Sequence, residues 1–171
     1  MGDSIFLMDV GKETYLSICN MVAHGASIQP LVSSKVLHHD ARSIPKEYTG
    51  KYDTVITSPP YPNRISYIRE LRPYMYWTDF LETANQASEL DWQAIGGTWG
   101  KATSMLSTWK SNRTLPRYVY DIAKQIAAAD NKSAKLMANY VLKYFEDMQL
   151  HLSAVYDGLK SKGKVFYIIG N

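Results

Sequence analysis

This sequence has little of what most readily assigns a chain to a class. Its 171 residues hold a single cysteine, Cys19, which excludes an intrachain disulfide and a multi-cysteine zinc site and fits a reducing compartment. No apolar run approaches the roughly 20 residues that a membrane-spanning helix needs, and the N-terminus lacks the basic-then-apolar pattern of a signal peptide. A cytoplasmic protein with no membrane partner is therefore expected. Charge of either sign is not in surplus: 19 Lys and Arg against 16 Asp and Glu give a formal +3, which permits an acidic partner such as nucleic acid without requiring one. There is no internal repeat, low-complexity tract or clear linker. His38 and His39 are adjacent, so on a strand they face opposite sides, and His24 and His151 are distant in sequence. No metal site is expected.

What is present is a globular composition, 46% apolar, of a length that suits one domain. Apolar residues from Ser4 to about Ala26 recur at helical spacing, interrupted near Gly11, which predicts one or two helices. "KVLHHDAR" reads as a short strand ending near Asp40, and "YDTVITS" as a second strand. "RISYIRELRPYMYWTDFLETA" has a helical pattern that Pro73 should kink or divide. The stretch 85–112 reads as loop or lid around Gly96, Gly97 and Gly100. "PRYVYDIAKQIAAA" and a long segment from about Lys132 to Lys160 predict two helices, the second with a core-facing stripe that includes Tyr140 and Tyr144. The closing "SKGKVFYIIGN" reads as a turn and then a strand of near-continuous apolar character, the kind found inside parallel sheets. Strands separated by helices argue an α/β fold.

The most informative stretch is "DTVITSPPYPNRISYIRELRPYMYW". In an open α/β sheet ligands gather at the carboxyl ends of the strands, and Ser58-Pro59-Pro60-Tyr61 lies where such a strand ends. Two adjacent prolines fix φ twice and remove two backbone donors, leaving a rim of carbonyl oxygens and the Ser58 hydroxyl. Such a rim suits a substrate that donates hydrogen bonds, and Tyr61 offers a flat face for a base. The alternative is that Pro-Pro merely ends a strand and Tyr61 packs inward.

"DTVITSPPY" resembles the catalytic motif, with its preceding strand, of the amino-methylating DNA methyltransferases, whose pattern is Ser/Asn/Asp-Pro-Pro-Tyr/Phe/Trp. The serine form is most similar to the cytosine-N4 branch. The resemblance extends over Val36 to Trp77 and Ala134 to Asn171. It implies a Rossmann-like domain with parallel strands and flanking helices, using S-adenosylmethionine as methyl donor and DNA as partner. By the resemblance, Ser58 and the Pro59 carbonyl accept hydrogen bonds from the exocyclic amine of a flipped base, Tyr61 stacks on it, and Asp40 lies near the cofactor's adenine. A base inside a duplex cannot be reached, so flipping is required. Methylation at carbon 5 of cytosine would need an activated thiolate, and Cys19 in "SICNMV" has no preceding proline.

One part of the pattern is not found. The family's glycine-rich cofactor loop, a Phe-x-Gly-x-Gly after a strand, has no counterpart: "LMDVGKET" has one glycine, and "IGGTWGK" follows no convincing strand. The expectation is thus a partial Rossmann-like domain, with the loop supplied by a second chain or a further segment. Arg64 and Arg69 are candidates for DNA phosphate, although pairing with nearby carboxylates or with solvent explains them equally. The competing readings are a nucleic-acid-binding remnant without catalysis, and methylation of adenine N6 or of RNA.

Overall fold

The computed structural model describes residues 2–28, 33–62, 66–97 and 101–169, with side chains from Val10 onward in the first stretch. Its contacts divide the chain into two compact units, Met1–His38 and His39–Asn171. The first unit contains α1, Gly2–Ser27. This is one uninterrupted helix, because a single glycine such as Gly11 costs a helix only about 1 kcal/mol relative to alanine. Its Tyr15, Ile18, Met21 and Val22 are exposed. The strand expected over "KVLHHDAR" does not form; residues 33–40 carry no regular structure. Asp40 turns the chain instead, with its side chain accepting the Arg42 amide at 2.9 Å and its carbonyl the Ser43 amide at 3.1 Å. Local capping of this kind competes with pairing in a sheet.

In the second unit a short 3-10 turn, Lys46–Tyr48, leads to β1, Tyr52–Thr57. Five helices follow: α2 Tyr67–Trp77, α3 Ala84–Gln93, α4 Lys101–Thr108, α5 Arg117–Ala127 and α6 Ala134–Gly158. β2, Leu159–Tyr167, returns parallel to β1. The unit is therefore α/β, with two parallel strands among the described residues and helices around them. Val55, Ile56 and Thr57 pair with Val165, Phe166 and Tyr167, after a register irregularity where Lys162 adopts φ 65°. The turn expected at "SKGK" is thus absorbed into the strand as a bulge-like excursion. Across the two strands Lys160 grips both oxygens of Asp53, at 2.9 and 2.8 Å.

Two sequence expectations change here. Pro73 stays inside α2, and the division comes at Asp79, which takes φ 56°; the Phe80 and Leu81 amides then turn back onto the Met75 carbonyl. The segment read as loop or lid holds two helices. α3 starts with a reciprocal capping box between Thr83 and Gln86, and Ala87 and Asp91 of α3 with Ala102 and Leu106 of α4 are buried.

The long helix α6 organises the unit by presenting two rows of side chains. Ala134, Ala138, Tyr140 and Tyr144 are buried along its first half, where Val119 and Ala123 of α5 are buried too. Lys143, Asp147, His151, Ala154 and Gly158 recur at three- to four-residue spacing, which keeps them on one face. Gly158 lies under Tyr52 and Ile44, where an added Cβ would come within 2.7 Å of Ile44. His151 meets the Tyr167 ring edge-on at 5.8 Å. α6 therefore covers one face of the sheet. The other face, carrying the register partners Ile56 and Phe166, is 69% and 52% exposed at those residues. This departs from the interior position expected of β2: a parallel sheet is ordinarily covered on both faces, and here the second face is bare among the described residues.

Candidate functional site

Ser58, Pro59, Pro60 and Tyr61 leave the carboxyl end of β1, where the chain can no longer pair as strand because the prolines carry no amide hydrogen. The last rung beside them runs from the Ile168 amide to the Thr57 carbonyl, at 2.9 Å. One step further, Ser58 donates its hydroxyl hydrogen to the Ile168 carbonyl at 3.1 Å. A hydroxyl has one hydrogen and two lone pairs, so Ser58 Oγ is left as an acceptor. The 3.4 Å approach of the Tyr61 hydroxyl to that oxygen is then a donation from tyrosine, and one lone pair of Ser58 stays open.

Tyr144 of α6 donates to the Pro60 carbonyl at 2.8 Å, and burial pushes its hydroxyl above the usual tyrosine range, with smaller contributions from Tyr140 and Tyr67. Of the two proline carbonyls, that of Pro60 is thereby used to anchor the loop. The Pro59 carbonyl accepts no hydrogen bond among the described residues, although Pro59 itself is buried. The Tyr61 backbone is approached from the other side by Gly96, which takes φ 79°; a Cβ there would stand 3.8 Å from the Tyr61 carbonyl oxygen and 3.5 Å from the Tyr140 hydroxyl. At Gly97 a Cβ would fall 1.6 Å from the Asp91 carbonyl oxygen, so this chain reversal requires glycine. Asp91, fully buried, is hydrogen-bonded by Ser66 Oγ, and Ser66 in turn caps α2 through the Arg69 amide at 3.1 Å. The loop is thus enclosed by β2, α6 and the segment after α3.

A comparison of the chain with protein-family models, with curated proteins and with solved structures found no match.

Asp40 is in a different condition. Arg42 closes on both its carboxylate oxygens, with Nε at 3.0 Å from Oδ1 and Nη2 at 2.8 Å from Oδ2. The hydrogen bond from Arg42 holds the Asp40 carboxyl below its usual range. The other arm of Arg42 reaches Asp147 at 2.9 Å, and Lys143 takes the remaining oxygen of Asp147 at 2.6 Å. Lys143 also stands 4.8 Å over the Trp92 ring. The carboxylate expected near a cofactor adenine is therefore one end of a four-charge chain tying residues 40–42 to α6. Among the described residues, neither strand is followed by a glycine-rich turn, since Gly96 and Gly97 follow α3. The oxygens left open at the loop suit a ligand that donates hydrogen bonds, and among the described residues no glycine-rich turn follows a strand to receive S-adenosylmethionine.

Arg69 is exposed on α2, and Arg64 lies outside the described residues. The groups that sequence reasoning did not connect to the loop are Tyr144, Gly96, Gly97 and the Ile168 carbonyl. A signal for Tyr144 existed: tyrosine at a core position of a helix needs a partner for its hydroxyl, which leucine would not.

Proposed function

We propose that the loop Ser58 to Tyr61 is the base-holding site of a DNA amino-methyltransferase, with the exocyclic amine of a flipped cytosine as its target. The observation that carries this reading is the hydrogen bond from Ser58 to the Ile168 carbonyl. It commits the only hydrogen of Ser58 and leaves its oxygen as an acceptor, alongside a Pro59 carbonyl that accepts no hydrogen bond among the described residues. Two fixed acceptors can hold both hydrogens of an amine, which turns the nitrogen lone pair out of conjugation with the ring and toward an incoming methyl group. No covalent nucleophile is required, and the contribution of the loop is positioning and electrostatics. Tyr61, half-buried beside the acceptors, supplies the stacking surface that offsets part of the few kcal/mol lost on flipping. The methyl donor, S-adenosylmethionine in the resembled family, belongs to a glycine-rich loop from another chain or a further segment. The bare sheet face at Ile56 and Phe166 supports a neighbour of that kind.

The capture of Asp40 by Arg42 favours a second reading, in which the loop binds an unstacked base without transferring a methyl group. Labelled-methyl transfer from S-adenosylmethionine to DNA separates the two, assayed with the chain in its full genomic context and read out by mass spectrometry of the released nucleosides. The methyltransferase reading expects N4-methylcytosine, falling at least about a hundredfold in Ser58→Ala and Tyr61→Ala, the scale typical of removing one preorganised hydrogen-bonding group. No transfer, or transfer undiminished in both variants, would falsify it; N6-methyladenine would keep the chemistry and change the base.

A further inference from the structure

The helix α2 follows the Ser-Pro-Pro-Tyr loop and has no fully buried residue. Ile68, Met75 and Tyr76 are half-buried and turn toward the rest of the unit. On the other side Tyr67, Leu71, Tyr74 and Trp77 recur at spacings of three and four, which keeps them on one face, and all four are exposed, Trp77 to 84%. Phe80, just beyond the helix, is exposed too. This face is unlike the contacts between the helices that follow, where buried side chains are mostly small or aliphatic, as at Ala87, Ala102, Leu106, Val119 and Ala123. Its first residue adjoins the loop: Tyr67 is near enough to Tyr144 to contribute to the raised pKa of that hydroxyl, and Tyr144 holds the Pro60 carbonyl.

A contiguous exposed apolar face marks a place for a partner, and here composition and position select the partner. Tyr67, Tyr74 and Trp77 are aromatic, and a flat ring accepts any base by stacking. Along the helix axis Tyr67 and Trp77 lie about 15 Å apart, at about 1.5 Å per residue, which is the height of about four bases stacked at about 3.4 Å. The face carries one carboxylate, Glu70, and beside it in the chain is Arg69, exposed and forming no ion pair among the described residues. Without a surplus of positive charge, its hold is on bases more than on phosphates. We propose that the exposed face of α2 is a stacking platform for unpaired bases beside the target, so that the site takes a DNA strand already opened into single strand. The proposal rests on the reading of Ser58 to Tyr61 as a base-holding loop, and adds that the neighbours of the target base are held by Tyr67, Tyr74 and Trp77.

The test is fluorescence anisotropy with three labelled probes: a short DNA strand with a central cytosine, the same strand with abasic sites flanking that cytosine, and the first strand annealed to its complement. The unaltered full chain should bind the plain strand at least about fivefold more tightly than either of the others. Tyr74→Ser and Trp77→Ser should each weaken binding of the plain strand at least about fivefold, the lower end for one base stacked on an aromatic ring, and should leave the abasic strand as it was. The slope of affinity on salt should be the same in both variants, because no phosphate contact is removed. No binding of the plain strand, equal binding of plain and abasic strands, tighter binding of the duplex, or variants that bind the plain strand undiminished would overturn the inference. Self-association of the chain that both variants abolish would overturn it as well, by giving the face to a second copy. Tyr61→Ala separates the platform from the loop: if it leaves both single strands unaffected while Trp77→Ser weakens the plain one, the platform stands and the base-holding loop falls. Should either platform variant fail to fold, the plain and abasic strands compared on the unaltered chain decide the matter alone.

Discussion

The loop Ser58 to Tyr61 and the turn Asp40 to Arg42 are both fastened to α6, and they are fastened in opposite senses. At the loop the protein spends donors: Ser58 gives its hydrogen to the Ile168 carbonyl and Tyr144 gives its own to Pro60, so oxygen acceptors are left over. At the turn it spends an acceptor, because Arg42 covers both oxygens of Asp40. A region held by giving up its hydrogens stays ready for a substrate that donates. A region held by a guanidinium closing on its carboxylate has satisfied itself. That difference, more than the residue types, separates the base side of the proposed site from the cofactor side.

The largest expected effect removes the shared anchor of the turn. Asp147→Ala leaves Lys143, 8% exposed at its side chain, without its carboxylate and Arg42 with half of its partners. Breaking a buried ion pair from one side typically costs about 3–5 kcal/mol, so the urea midpoint should fall by a large fraction of the whole stability. Fluorescence of Trp92, which lies under Lys143, offers a local probe. A loss below about 1 kcal/mol would mean that the charge chain is solvated and that the turn is not held as described.

Next is Tyr144→Phe, which should cost about 1 kcal/mol by deleting one hydrogen bond and loosen the loop while the turn stays fixed. Amide exchange at Tyr61 should quicken, and exchange at Arg42 should not. This tyrosine has a raised pKa in the folded state, so its contribution is complete below the ordinary tyrosine value near 10. It is lost as pH rises through the folded value, because the unfolded chain ionises first. The alkaline fall in stability should therefore be shallower in Tyr144→Phe than in the unaltered chain.

A smaller effect on stability, with a large one on function, is expected of Ser58→Ala. The hydroxyl is exposed, and its bond to Ile168 is one of several holding the strand end, so the unfolding midpoint should move by less than about 1 kcal/mol. Binding of a duplex carrying a mismatched, easily flipped cytosine should weaken by a larger factor, because the open acceptor is lost. An equal loss of stability and of binding would mean that Ser58 is only a strand-end clasp, which would erase the contrast between loop and turn.

How much of this was legible in the sequence follows from which interactions are local. β1 and the break after it could be read from "DTVITSPPY" because alternation and proline act within a few residues. α5 and α6 could be read from their spacing, and the parallel pairing of β2 from the helices between the strands. α3 and α4 were missed because Gly96, Gly97 and Gly100 dominated the reading of 85–112, whereas the capping box of Thr83 and Gln86 is a short signal that straddles its start. The strand expected at "KVLHHDAR" failed for the opposite reason: its β-like residues are real, but strand formation depends on a neighbour, and Asp40 offered the backbone a turn. The enclosure of the site by Tyr144, Gly96 and Ile168 joins positions tens of residues apart, which no local pattern encodes.

The smallest expected effect is on the turn itself. In Asp40→Asn the bidentate pairing with Arg42 is lost, but the side chain is 51% exposed, so solvent screening keeps the cost at neutral pH below about 1 kcal/mol. Its pH dependence is more telling than its size. The Asp40 carboxyl is held below its ordinary value of 3.8 by Arg42. A carboxyl depressed in the folded state stabilises above the unfolded value, and that stabilisation disappears as pH falls through the folded one. The difference in urea midpoint between the unaltered chain and Asp40→Asn should therefore be constant near neutrality and shrink as pH drops below about 4. A difference that persists undiminished at low pH would show that Asp40 acts through the geometry of its turn, by accepting the Arg42 amide, and not through its charge. The carboxylate would then not be committed to Arg42, and the contrast between a self-satisfied turn and an open loop would be lost.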